Sequence, residues 1–134
     1  MKVYAAIDTN VFVSALWTKH AQSATFQVVL AMQQGEIIPL YNEEILAEYK
    51  EVLSRKKFGF SEEVISDIIT YICTYGIHSE RAQYIMPMTD ENDRVFYEVA
   101  LSKEDAYLVT GNRRHFPQSP IVVTPAEMLE ILHR

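Results

Sequence analysis

The sequence predicts an α/β fold: a three-layer α/β/α sandwich whose central, mainly parallel sheet has four to five strands. Three observations predict it. Val3-Tyr4-Ala5-Ala6-Ile7 is apolar throughout and lacks the alternation of a half-solvated strand, which places it in the middle of a sheet covered on both faces. Further short strand-like runs, at Glu36-Ile37-Ile38-Pro39-Leu40-Tyr41, Asp105-Ala106-Tyr107-Leu108-Val109-Thr110 and Ile121-Val122-Val123, alternate with stretches of helical spacing. The 134 residues are 49% hydrophobic with only four glycines, enough to bury one core as a single domain over 1–134.

Each element has a local reason. The opening strand breaks at Asp8-Thr9-Asn10, and Val11, Phe12, Ala15 and Leu16 then mark a short helix ending near Trp17-Thr18-Lys19-His20. A second helix starts at Ser23, carries Phe26, Val29 and Leu30, and stops at Gly35. After the strand through Tyr41, Asn42-Glu43-Glu44 supplies a cap and first-turn acids for a third helix running to about Ser54. Its apolar stripe is Ile45, Leu46, Tyr49, Val52 and Leu53. At about 100° per residue, Glu48 falls at the stripe's border, nearer the core than Glu43, Glu44 or Glu51.

A basic turn over residues 55–60 joins this helix to a fourth, which starts at Ser61-Glu62-Glu63-Val64 and ends at Gly76. Ile77 and residues 82–85 suggest a short strand or an extended crossing. Asp90-Glu91-Asn92-Asp93 leads into a fifth helix through Val95, Phe96, Val99 and Ala100, with Asp93 in its first turn. Residues 105–110 read as a strand, broken by Gly111-Asn112-Arg113-Arg114-His115-Phe116-Pro117. Thr124-Pro125-Ala126-Glu127 is a capping box with proline at the first helical position, opening the last helix.

Composition narrows the function. Cys73 is the only cysteine, so neither an internal disulfide nor a thiolate metal site is available, and a reducing cytoplasm is expected. No stretch has the roughly 18 apolar residues of a membrane span, and the N-terminus lacks the form of a signal peptide. The net charge of −6 would oppose nucleic acid if spread evenly. It is not: Arg55-Lys56-Lys57 and Arg113-Arg114-His115 are basic islands around an acidic set. The large apolar residues Trp17, Phe58, Phe60 and Met86 are expected mostly in the core.

Asp8, Glu48, Asp93 and Asn112 come from four separate elements, each at a strand end, a helix start or a core-facing border. Singly, each has an ordinary reading: Asp8 and Asp93 cap helices, and Glu48 pairs with a surface lysine. Together they are three carboxylates and an amide, hard oxygen donors suited to Mg²⁺ or Mn²⁺. Carboxylates about 4 Å apart repel by about 4 kcal/mol per pair at an effective dielectric of about 20, so such a set calls for a cation.

The sequence resembles the PIN-domain family of metal-dependent nucleases, and within it the small single-domain members regarded as toxin components of toxin–antitoxin pairs. The resemblance spans nearly the whole chain. It rests on Ala6-Ile7-Asp8-Thr9-Asn10-Val11-Phe12, on Glu44-Ile45-Leu46-Ala47-Glu48-Tyr49, on Asp90-Glu91-Asn92-Asp93, and on Leu108-Val109-Thr110-Gly111-Asn112. It implies that Asp8, Glu48 and Asp93 are the acidic metal-binding and catalytic positions. Asn112 stands where many members have a fourth aspartate, which keeps an oxygen and removes a charge; the small toxin-like members often carry asparagine there. Asp90 competes with Asp93 as a ligand, and Thr9, Asn10 and Thr110 are supporting residues that orient the carboxylates. The resemblance also implies an RNA substrate held by Lys56, Lys57, Arg113 and Arg114, a small antitoxin partner and a homodimer.

Two rivals have the same fold class. A haloacid-dehalogenase-like phosphatase also ends its first strand in aspartate, but wants a second aspartate where this chain has Asn10. A receiver domain wants a lysine after a late strand, and none is evident. A non-catalytic PIN-like domain that binds RNA or a partner protein is a third alternative, and Asn112 is what favours it.

Overall fold

The computed structural model describes residues 2–18 and 20–134. Its centre is β1 (Val3–Ile7), flanked by β2 (Ile37–Tyr41) on one side and β4 (Tyr107–Val109) on the other. With β3 (Ile77–His78) and β5 (Val122–Val123) outside them, the order is β3-β2-β1-β4-β5 and every pairing is parallel. Ala5, Ala6 and Ile7 point alternately to the two faces and are all fully buried, so helices cover both sides as expected. The strand order reverses between β1 and β4, and in such sheets the crevice beyond the carboxyl ends at that point is where ligands bind.

The helices begin where their caps predict. The Ser23 side chain accepts from the Phe26 N–H ahead of α2 (Ala24–Gln33), and Asn42 Oδ1 accepts from the Ile45 N–H, 2.9 Å, ahead of α3 (Glu43–Leu53). Ser61 opens α4 (Glu62–Tyr75), and the Thr124–Glu127 capping box opens α6 (Pro125–Leu132). Between them lie α1 (Thr9–Trp17), directly after β1, and α5 (Arg94–Leu101). Gly35 follows α2 with φ +82°, a conformation that suits glycine. No helix among the described residues is long and apolar enough to cross a membrane.

Gly76 is needed for a different reason. A Cβ there would stand 2.5 Å from the Ile72 carbonyl oxygen and 2.6 Å from that of Pro39. The chain can thus turn from α4 into β3 hard against β2, and Pro39, which offers no N–H, lies where β3 has yet to begin pairing.

Of the two readings for the stretch after α4, the short strand is realised at Ile77–His78 and the crossing at residues 82–85, while other expectations fail in detail. Residues 82–85 form no strand; this segment is held to α5 by Glu98, a buried acid that accepts from Arg81 Nε at 2.6 Å and from the Tyr84 N–H at 2.7 Å. Asp105 takes φ +66° in the turn after α5, so the strand begins two residues later, at Tyr107. A 3-10 turn, Arg113–His115, follows Asn112. Trp17 and Met86 are exposed, and Phe58 and Phe60 only half-buried, because they lie at the tips of connections beyond the reach of the sheet.

Replacing Gly76 by alanine is expected to lower stability by about 1–3 kcal/mol, since both crowding atoms are backbone. Urea denaturation of the purified variant, with an unchanged slope, is the check.

Candidate active site

Asp8 sits one residue past β1, at the switch point, with its backbone N–H bonded to the Val109 carbonyl at 2.9 Å. It occupies the N-cap position of α1 but makes no side-chain capping bond. Its Oδ2 instead accepts from the Thr110 hydroxyl at 2.8 Å and from Asn10 Nδ2 at 3.3 Å. The carboxylate is therefore turned from the helix toward β4. Asp93 repeats the pattern: it is the N-cap of α5 and makes no side-chain capping bond. Asp90 does the opposite, accepting from the Asn92 N–H at 2.9 Å to cap the 3-10 turn Glu91–Asp93. Of the two acids that the sequence left in competition, Asp90 caps a turn and Asp93 makes no capping bond.

Glu48 is half-buried on α3, at the border of its apolar stripe, and its Oε2 accepts from the Thr9 hydroxyl at 2.5 Å. The next residue, Tyr49, is fully buried and donates its hydroxyl to the Ile7 carbonyl oxygen at 2.5 Å. Adjacent side chains thus pin α3 to the end of β1 on both sides of the Ile7–Asp8 peptide. Tyr49 was legible only as a core residue, because nothing in its spacing reveals a carbonyl partner.

The acids disturb one another. Burial pushes the Asp8 carboxyl up to about 7; the Thr110 hydroxyl opposes this, and the charges of Asp93 and Glu48 add to it. Asp93 is pushed up to about 6, first by burial and then by Asp90 and Glu48. Glu48 is raised as well, chiefly by burial and against the Thr9 hydrogen bond. The countercharge is slight: His115 Nδ1 lies 3.8 Å from Asp93 Oδ2, and the exposed Arg55, engaged by Glu51, acts weakly on Glu48. His115 was visible in sequence only as part of a basic island.

Among the described residues, no three His, Cys, Asp or Glu side chains stand close enough together to hold a metal ion as they are. In chemistry the donors nonetheless fit a hard divalent cation: three carboxylates offer hard oxygens, the charges of Asp93 and Glu48 both act on Asp8, and no hydrogen bond among the described residues engages Glu48 Oε1. Asn112 is exposed and joins the set only indirectly, its backbone N–H donating to Thr110 Oγ1 at 3.0 Å. Asn10 links the same strand ends, its Oδ1 accepting from the Gly111 N–H at 3.2 Å. Beside Glu48 a cleft of about 400 Å³ is lined by Glu44, Glu51, Arg55, Arg81 and Glu91. A larger one, about 570 Å³ and bordered by Arg113 and Arg114, lies beyond β5 and contains none of the three acids. Arg113 is committed to Glu127 at 2.6 Å, whereas Lys56, Lys57 and Arg114 are exposed.

A parallel sheet with acids at the carboxyl end of its central strand places a candidate ligand site at the switch point. The sequence profile of the PIN domain matches residues 4–114, a span that holds Asp8, Glu48, Asp93 and Asn112. The chain belongs to the PIN-domain family, whose members are in general nucleases, and this supports a hydrolase-type enzyme. No curated protein and no solved structure gives a significant match.

The direction of the Asp8 shift sets a pH dependence. Below about pH 4 the group is protonated whether the chain is folded or not; between about 4 and 7 the folded chain keeps a proton that the unfolded chain has released, so this group's contribution to stability falls as pH rises. In chelator, Asp8→Asn is therefore expected to be more stable than the native sequence at pH 8, by on the order of 2 kcal/mol, and equal to it near pH 4. Thermal melts at both pH values measure this, and a difference that did not change with pH would contradict it.

Proposed function

We propose that the protein is a metal-dependent endoribonuclease that hydrolyses phosphodiester bonds in RNA as the toxin of a toxin–antitoxin pair, with the whole chain acting as one nuclease domain. The observation that carries this reading is that Asp8 and Asp93 occupy helix N-caps yet make no capping bond, while sharing a site with Glu48. A carboxylate that makes no capping bond has oxygen available for a ligand, and two such acids together with Glu48 call for a cation.

In this reading Asp8, Glu48 and Asp93 hold Mg²⁺ or Mn²⁺, with Asn112 as a neutral oxygen ligand and Asp90 outside the first layer. The bound cation supplies an activated water and neutralises charge on the phosphoryl group. The chain's part is orientation. Thr110 and Asn10 fix one oxygen of Asp8, Thr9 fixes one oxygen of Glu48, and Tyr49 holds the backbone between them. Lys56, Lys57 and Arg114 are the available cations for RNA phosphates, and Arg113 joins them on leaving Glu127. A small antitoxin and a second copy of the chain complete the proposed assembly in the cytoplasm; exposed Tyr75, Ile77, Ile85 and Met86 support protein partners.

A second reading, a PIN domain that binds RNA or a protein without turnover, is favoured by the neutral Asn112 and by acids that are not yet converged. Metal titration separates the two. The catalyst is expected to cleave single-stranded RNA with Mg²⁺ or Mn²⁺, to stop in chelator, and to lose about a thousand-fold or more in rate on Asp8→Asn. Binding that persists in chelator with no cleavage at any metal concentration would select the binder.

A further inference from the structure

At the turning points of two helical excursions lies a surface that the acidic centre does not use. α1 leaves the end of β1 and α3 the end of β2, while α2 and α4 return the chain to the next parallel strands. Trp17 and residues 55–60 stand at the two turns, and the turns meet. The Trp17 ring packs edge-on to Phe58, centroids 4.8 Å apart, and Phe58 lies within 12° of parallel to Phe60 at 5.6 Å. Lys57 Nζ sits 5.1 Å from the Phe58 ring centroid. Trp17 is 56% exposed, and among the described residues neither Lys56 nor Lys57 is ion-paired.

We propose that this surface is a stacking site for the unpaired bases of single-stranded RNA: Trp17 offers an open ring face to a base, and Lys56 and Lys57 take the flanking phosphates. The occupant follows from the composition of the patch. Cores of protein–protein interfaces are depleted in lysine, whereas single-strand sites combine aromatic platforms with cations. In a chain of net charge −6, few other places can hold a polyanion. Trp17 lies about 12 Å along the α1 axis from Thr9, so a strand seated here can extend to the acids. The choice of RNA rests on the proposed nuclease function; stacking itself does not, and binding can be read apart from cleavage.

Trp17 is the only tryptophan, so its fluorescence reports on this surface alone. Asp8→Asn protein in chelator is titrated with oligouridylate and with an abasic sugar-phosphate strand of equal length. Oligouridylate is expected to quench the emission saturably and the abasic strand is not. On the same background, Trp17→Ala is expected to weaken binding about five- to a hundred-fold by anisotropy of labelled RNA, with Trp17→Phe restoring most of it. Lys56→Gln with Lys57→Gln should lower the slope of log affinity against log salt by about 1.4, a readout that stands even if Trp17→Ala fails to fold. Unchanged affinity in Trp17→Ala, equal quenching by the abasic strand, or an emission change driven by protein concentration alone would overturn the proposal, the last in favour of self-association. Failure of the nuclease reading would show separately, as absence of metal-dependent cleavage by the native protein.

Discussion

Asp8 sits buried at the end of the central strand, where the charges of Asp93 and Glu48 reach it with little positive charge to balance them, and much of the surrounding structure holds these acids in place. Isolated acids in such a place would turn to the nearest helix N-terminus, where free N–H groups and the helix dipole welcome them. Asp8 and Asp93 do not. A threonine hydroxyl from β4 and an asparagine two residues on fix Asp8 toward the crevice, and Thr9 draws Glu48 toward it from α3. Burial is the main cause that raises the proton affinity of all three, and neighbouring acids add to it.

The rest of the framework keeps the acids in place. Tyr49, packed against Phe12 and Phe96, ties α3 to the last carbonyl of β1 with a bond no solvent can compete for. On the other side, Glu98 fastens residues 81–84 to α5, and Arg81 extends the link to Glu44 on α3 at 2.7 Å. The helix that starts at Asp93 is thereby coupled to the helix that carries Glu48. A single buried acid with two donors does this where a longer strand would otherwise be required.

The fold was legible because its signals are local and redundant. An apolar run without alternation gave β1 its central place, and Ser23, Asn42, Ser61 and Thr124 each announce a helix through a side-chain oxygen placed before it. The candidate acids were chosen by type and position: helical geometry marked Glu48 as the acid nearest the core on its helix, and the resemblance implied its role. What stayed hidden depends on partners far away in sequence. Glu98 lies among apolar neighbours on a short helix, and only the fold reveals Arg81 and the Tyr84 amide facing it. Asp90 and Asp93 could not be separated until their hydrogen bonds were seen, because both precede the same helix. Trp17 reads as core by its chemistry, and its exposure follows from where α1 happens to stop.

The hydrogen bond from Thr110 to Asp8 joins residues 102 positions apart. Both flanks of the crevice therefore come from opposite ends of the chain, and β1 cannot gain its β4 neighbour until residue 107 has been made. During synthesis, when domains fold from the N-terminus as they emerge, a growing polypeptide contains Asp8 long before it contains the Thr110 that orients it. The timing of assembly is thus written into the topology: an unfinished chain holds Asp8 without the threonine that turns its carboxylate toward the crevice.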